Sequence, residues 1–151
     1  MDKLVASAAI QISKLPHEVY EAIVDPVKMS GYFIGEGSGR MEDGKELVWK
    51  FPEFDVKVPV KVLSVKPNEL VSFNWGGEND EVLKVEITLT NKGNATLVKV
   101  TEGTMENNEA GLKWLRQNTE GWANFLACLK AYLEYNINLR KGAFDFMKKE
   151  P

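Results

Sequence analysis

With 151 residues, 44% of them hydrophobic and 27% charged, the chain has the size and make-up of one soluble globular domain that needs no disulfide or metal to hold a core. Nineteen basic and 22 acidic side chains give a net charge of −3, and no basic run exceeds Lys148-Lys149, which argues against a nucleic-acid partner. The one cysteine, Cys128, excludes an intrachain disulfide and suits a reducing, cytoplasmic compartment; the N-terminus lacks a signal-peptide design, and no stretch reaches the ~20 apolar residues of a membrane span.

Taken in order, Ala8, Ile10 and Ile12 alternate and predict a strand over residues 4–12. Pro16 suits the first turn of a helix with an apolar face of Val19, Tyr20, Ile23 and Val24. Asp25-Pro26 ends it, because the residue before proline is pushed out of the α region, and a second short helix is expected at 26–31, ending at Gly31. From Tyr32 to Glu102 the period is mostly two. Leu47, Trp49 and Phe51 follow a turn at Asp43-Gly44. Val56, Val58, Val60 and Val62 alternate with Asp55, Lys57, Pro59 and Lys61, and Pro59 implies an edge or a bulge there. After a turn at Pro67-Asn68, Val71, Phe73 and Trp75 share a face, with Ser72 and Asn74 turned outward. Gly76-Gly77 interrupts the chain; Val85, Ile87 and Leu89 form the next face; Lys92-Gly93-Asn94 reads as a hairpin turn before Val98 and Val100. Seven strands are expected in all.

The last element is a long helix with a stripe of Leu115, Trp122, Leu126, Leu129 and Leu133, widened by Phe125 and Tyr132. Glu109 stands near its start, Arg140 and Lys141 near its end, and Gly142 is the expected cap. About 30 residues would make a rod roughly 45 Å long. The tail from Ala143, with Phe144, Phe146 and Met147, is expected to be weakly ordered. Strand, helix, strands and then one long helix indicate an α+β fold, a seven-stranded curved antiparallel sheet around the C-terminal helix with two short N-terminal helices.

That arrangement leaves room inside. Seven strands at about 4.8 Å spacing make a sheet roughly 29 Å wide, whereas a helix with its side chains is about 10–12 Å across. The sheet must curl, and a hollow between it and the helix is a natural place for a ligand. Candidate ligand-binding residues are Trp49, Phe51, Phe73 and Trp75 from strands and Trp122, Phe125 and Leu129 from the helix; Gly121 would let the sheet or a ligand come close to the helix backbone. The competing reading is that these aromatics simply fill a closed core.

Chemistry-bearing motifs are scarce. His17, the one histidine, falls in the first turn of a helix and is expected to be exposed; there is no Gly-x-Ser-x-Gly elbow, and Cys128 reads as a packing residue. One Cys and one His cannot build an ordinary structural zinc site, and neither metal nor cofactor is expected. Gly35-Glu36-Gly37-Ser38-Gly39 lacks the Gly-Lys-Ser/Thr ending of a phosphate loop. Glu53, Asp55, Glu78, Asp80 and Glu81 lie in or near turns and are expected to be mostly solvated.

Several segments together resemble the activator of Hsp-90 ATPase homologue family of the SRPBCC, or START-like (Bet v 1-like), superfamily. They are Leu15-Pro16-His17-Glu18-Val19-Tyr20-Glu21-Ala22, Asp25-Pro26, Tyr32-Phe33, Val100-Thr101-Glu102-Gly103 and Glu120-Gly121-Trp122-Ala123-Asn124-Phe125-Leu126. Their order and spacing, over nearly the whole chain, carry the resemblance. It implies a helix-grip fold with a cavity for apolar or amphipathic small molecules. It also places Tyr32 and Phe33, and Gly103-Thr104, near the pocket mouth. Tyr32-Phe33 stands where the family often has Trp-Phe, and Gly103-Thr104 where it often has Gly-Phe. The eukaryotic namesake is a co-chaperone with a separate N-terminal domain, and no such domain is expected here, which weighs against the co-chaperone reading. Three functions follow in order of preference: a small-molecule binding domain, a co-chaperone-like interaction protein with a chaperone partner, and an enzyme of the cyclase or hydrolase type. Fold alone does not choose among them.

Overall fold

The alternating segments become strands β1 (Leu4–Ile12), β2 (Glu36–Gly37), β3 (Glu46–Lys50), β4 (Lys57–Lys66), β5 (Leu70–Gly76), β6 (Val82–Lys92) and β7 (Ala95–Met105), in a computed structural model that describes residues 2–76 and 82–148. They form one antiparallel sheet in the order β1-β7-β6-β5-β4-β3-β2. Helices α1 (Pro16–Val24) and α2 (Pro26–Met29) follow β1, and α3 (Glu109–Tyr135) follows β7. Glu78, Asp80 and Glu81 lie outside the described residues.

Local chemistry explains the breaks. Pro16 occupies the first turn of α1, where the Glu18 carboxylate accepts the Leu15 N–H at 3.2 Å. Asp25 ends α1 and caps α2, accepting the Val27 N–H at 2.9 Å. Gly93 takes φ +73° in the two-residue turn that pairs Lys92 with Ala95. Pro59 sits one residue before β4 begins to pair with β5 at Val60–Trp75, so that flank of the strand is open there, and β4 bulges further on, between Val62 and Ser64.

Three expectations need correction. Ser72 is buried, not turned to solvent: it lies between Ser64 and Glu86 on paired strands, and a side chain so short is covered by its neighbours. The long helix stops at Tyr135 rather than near Gly142. Asn136 adopts the left-handed conformation (φ 54°, ψ 42°), which asparagine tolerates, and its N–H donates to Tyr132 O at 3.1 Å. Arg140 and Lys141 therefore lie beyond the helix. The tail, finally, forms a 3₁₀ turn at Asp145–Met147, with Phe144 half-buried and Phe146 and Met147 left exposed.

α3 packs chiefly along β1, at one margin of the sheet. Lys130 donates to the Gln11 carbonyl at 2.8 Å, and Glu134 accepts the Ser13 N–H at 2.9 Å. α1 lies over β6 and β7. Gly31 lets the end of α2 meet α3, since a Cβ there would stand 2.5 Å from Tyr132 Cε1. The core fills from both sides with Ile12, Val19, Ile23, Val85, Val98 and Leu126 among others. Because the helix hugs β1, the trough over β4 to β7 stays uncovered beside its N-terminal half.

Candidate functional site

That uncovered trough is a cavity of about 800 Å³. Val58, Trp75, Gly76, Leu83 and Met105 line it from the sheet, Trp114, Asn118, Gly121 and Trp122 from α3, and Phe33 and Phe51 from loops. Exposed Phe54, Glu106, Lys113 and Gln117 rim the opening.

The ten candidate residues divide evenly. Phe33, Phe51, Trp75, Gly121 and Trp122 line the cavity; Tyr32, Trp49, Phe73, Phe125 and Leu129 are buried in the core around it. Trp49 packs edge-on against Phe33 and Phe73 (ring centroids 5.9 and 5.3 Å), and Phe125 meets Phe33 at 4.7 Å. Tyr32 is drawn inside rather than left at a mouth because its hydroxyl donates to Ala22 O at 2.8 Å, a carbonyl of the last turn of α1 that has no helical partner. Burial pushes this phenol well above its ordinary pKa, with Tyr132 adding to the effect. At Gly121 an added Cβ would meet nothing within 4 Å, so this glycine opens space and brings no neighbour close. Gly103-Thr104 is not part of the lining; the alternation of β7 sends Glu102 inward and Gly103 toward Val5 on β1.

Three charged groups complete the site: Glu102, and the pair of Glu53 and Arg140. Glu102, 1% exposed, accepts from Trp75 Nε1 (2.6 Å) on one oxygen and from Asn118 Nδ2 (2.7 Å) and Trp122 Nε1 (2.8 Å) on the other. The signal was available: Val98 and Val100 point inward, and the same period carries Glu102 inward with them. Glu53, expected in solvent, is buried because Arg140 reaches it at 2.6 Å. The guanidinium lies 5.7, 5.6 and 4.8 Å from the ring centroids of Phe33, Phe51 and Phe144, closing one end of the cavity. The same arginine walls a smaller pocket of about 200 Å³ on its other side.

The chain's nucleophile and base candidates stand elsewhere. His17 is exposed on α1, and Cys128 is buried on α3, where loss of solvent pushes its thiol pKa up against the opposing charge of Arg140. Among the described residues no three His, Cys, Asp or Glu side chains are grouped to hold a metal ion, and no helix is long and apolar enough to cross a membrane.

A curved antiparallel sheet gripping a long C-terminal helix, with a hollow between them, defines a helix-grip α+β protein. Residues 15–134 match the family model described as Activator of Hsp90 ATPase homolog 1-like protein, and the chain belongs to that family. None of the curated proteins compared with the chain matches it. Solved structures do. The protein SSP2350 of Staphylococcus saprophyticus is 29% identical with a TM-score of 0.80, over 91% of this chain and 96% of that one. The protein MLL2253 of Mesorhizobium loti is 18% identical with a TM-score of 0.77, over 87% and 97%. The Aha1 dimer of Colwellia psychrerythraea is 21% identical with a TM-score of 0.75, also over 87% and 97%. The latter two likenesses speak to the fold alone.

Proposed function

We propose that the protein binds an apolar or amphipathic small molecule in the cavity between sheet and α3. The observation that carries this reading is a hollow of about 800 Å³ with an aromatic lining and one buried carboxylate in its wall. Ligand sites occupy roughly 300–1,000 Å³ and combine apolar walls with a few placed polar groups. Phe33, Phe51, Trp75 and Trp122 would touch the ligand, with Gly121 leaving room for it. Tyr32, Trp49, Phe73, Phe125 and Leu129 would hold the wall in shape from behind. Binding accounts for the site better than catalysis, since the two buried carboxylates, Glu102 in the wall and Glu53 behind Arg140, are each held by neighbouring side chains.

The test is a panel of aliphatic and aromatic amphiphiles followed by NMR. Shifts concentrated on the indole signals of Trp75 and Trp122, with smaller changes at Trp49, are expected. A panel that moves nothing, together with a response to a chaperone middle domain, would replace this reading with the co-chaperone-like one.

A further inference from the structure

Resting on that binding reading, we propose that the ligand carries a positive charge, seated against the indoles of Trp75 and Trp122 with the Glu102 carboxylate as its counter-charge.

The argument starts from what surrounds Glu102. Its three partners, Trp75, Trp122 and Asn118, are neutral donors, and among the described residues no Lys, Arg or His pairs with it. An ionised carboxylate accepts at about four positions, so roughly one is left over. The cations nearest the cavity are otherwise placed: Arg140 is bound to Glu53, and Lys113 is exposed on the rim. Between Gly76 and Val82 the sequence supplies Glu78, Asp80 and Glu81 and no basic residue. The wall thus holds a buried carboxylate whose partners are all neutral donors, and a desolvated cation is the partner that a carboxylate attracts most strongly.

The rings favour the same class. Trp75 and Trp122 lie 5.4 Å apart at 32°, and both N–H groups are spent on Glu102. They have no donor left for a carboxylate or phosphate head group and offer π surface instead, which attracts an ammonium. An anionic head group would find Lys113 only at the exposed rim and, inside, Arg140, whose Nε lacks a partner. That guanidinium is already neutralised by Glu53 at 2.6 Å and covered by three phenyl rings.

The experiment compares octylammonium, octan-1-ol and octanoate at one ionic strength, by calorimetry and by the indole N–H signals of the wild-type protein. Octylammonium should bind roughly tenfold tighter than octan-1-ol, with octanoate weakest, and should shift the Trp75 and Trp122 signals most. In Glu102→Gln the advantage of the amine over the alcohol should vanish while the alcohol still binds. Octanoate binding tightest, or an amine preference unchanged in Glu102→Gln, would overturn the inference. If that variant does not fold, the wild-type ranking and indole shifts decide alone. Octan-1-ol binding with no amine preference would sink this inference and leave the cavity reading standing; no binding by any of the three would sink both.

Discussion

The carboxylate of Glu53 and the guanidinium of Arg140, 87 residues apart in sequence, meet at 2.6 Å with side-chain exposures of only 3% and 14%. Their contact folds the segment after α3 back over Phe33 and Phe51 and sets one end of the cavity. Breaking a buried pair by removing one partner strands the other charge, which costs about 3–5 kcal/mol. Glu53→Gln and Arg140→Met should each lower stability by that order, and the double variant should lose much less than the sum. Urea denaturation of the four proteins in a double-mutant cycle measures the coupling.

Gly121 separates stability from binding. It sits inside α3 with open space where a Cβ would go. Alanine there should raise stability by about 0.5–1 kcal/mol, as helix propensity dictates. Leucine at the same place should instead project into the hollow and weaken or abolish uptake of the probes that bind the wild type. Thermal melts and calorimetry on Gly121→Ala and Gly121→Leu read the two effects.

Gly31 should behave in the opposite way. The ring that an added methyl would strike belongs to Tyr132, itself packed on Tyr32 at 5.5 Å and therefore not free to swing aside. Gly31→Ala should cost about 1–3 kcal/mol through overpacking. The companion variant Gly31→Ala with Tyr132→Leu should recover part of the loss, which denaturant midpoints would show.

Acid should loosen the pair of Glu21 and Arg40. Both terminal nitrogens of the Arg40 guanidinium, Nη1 and Nη2, donate to the carboxylate at 2.7 Å, and this hydrogen bonding holds the Glu21 pKa below its ordinary value of 4.5. A carboxylate depressed in the folded state contributes its stability above the unfolded value and loses it as pH falls through the folded one. The difference in urea midpoint between wild type and Glu21→Gln should therefore be present at pH 7 and shrink once pH drops below about 4.5. It should also be small, because both side chains are 43% exposed.

Legibility from sequence followed the range of the interaction. Strands β1, β6 and β7 show in the alternation of Ile10 and Ile12, of Val85, Ile87 and Leu89, and of Val98 and Val100, because each buries one face. Asp25-Pro26, between α1 and α2, and Gly93-Asn94, between β6 and β7, mark breaks through backbone chemistry that acts within two residues. Alternation gives the face of a side chain but not its depth along the trough, so Trp49 in the core and Trp75 on the cavity wall look alike in sequence. Arg140 could not be matched to Glu53 because no periodicity links a loop to a tail. Gly142 is the stronger stop signal in the sequence, but Asn136 ends the helix first through its own left-handed backbone.

The way α3 sits against β1 bears on self-association. Lys130 and Glu134 occupy main-chain groups at Gln11 and Ser13 that would otherwise invite a strand from another molecule. At the opposite margin β2 is only two residues long, too short a template to extend. α3 thus covers the C-terminal end of the β1 border, while the opposite border offers a stretch of only two residues to a neighbour.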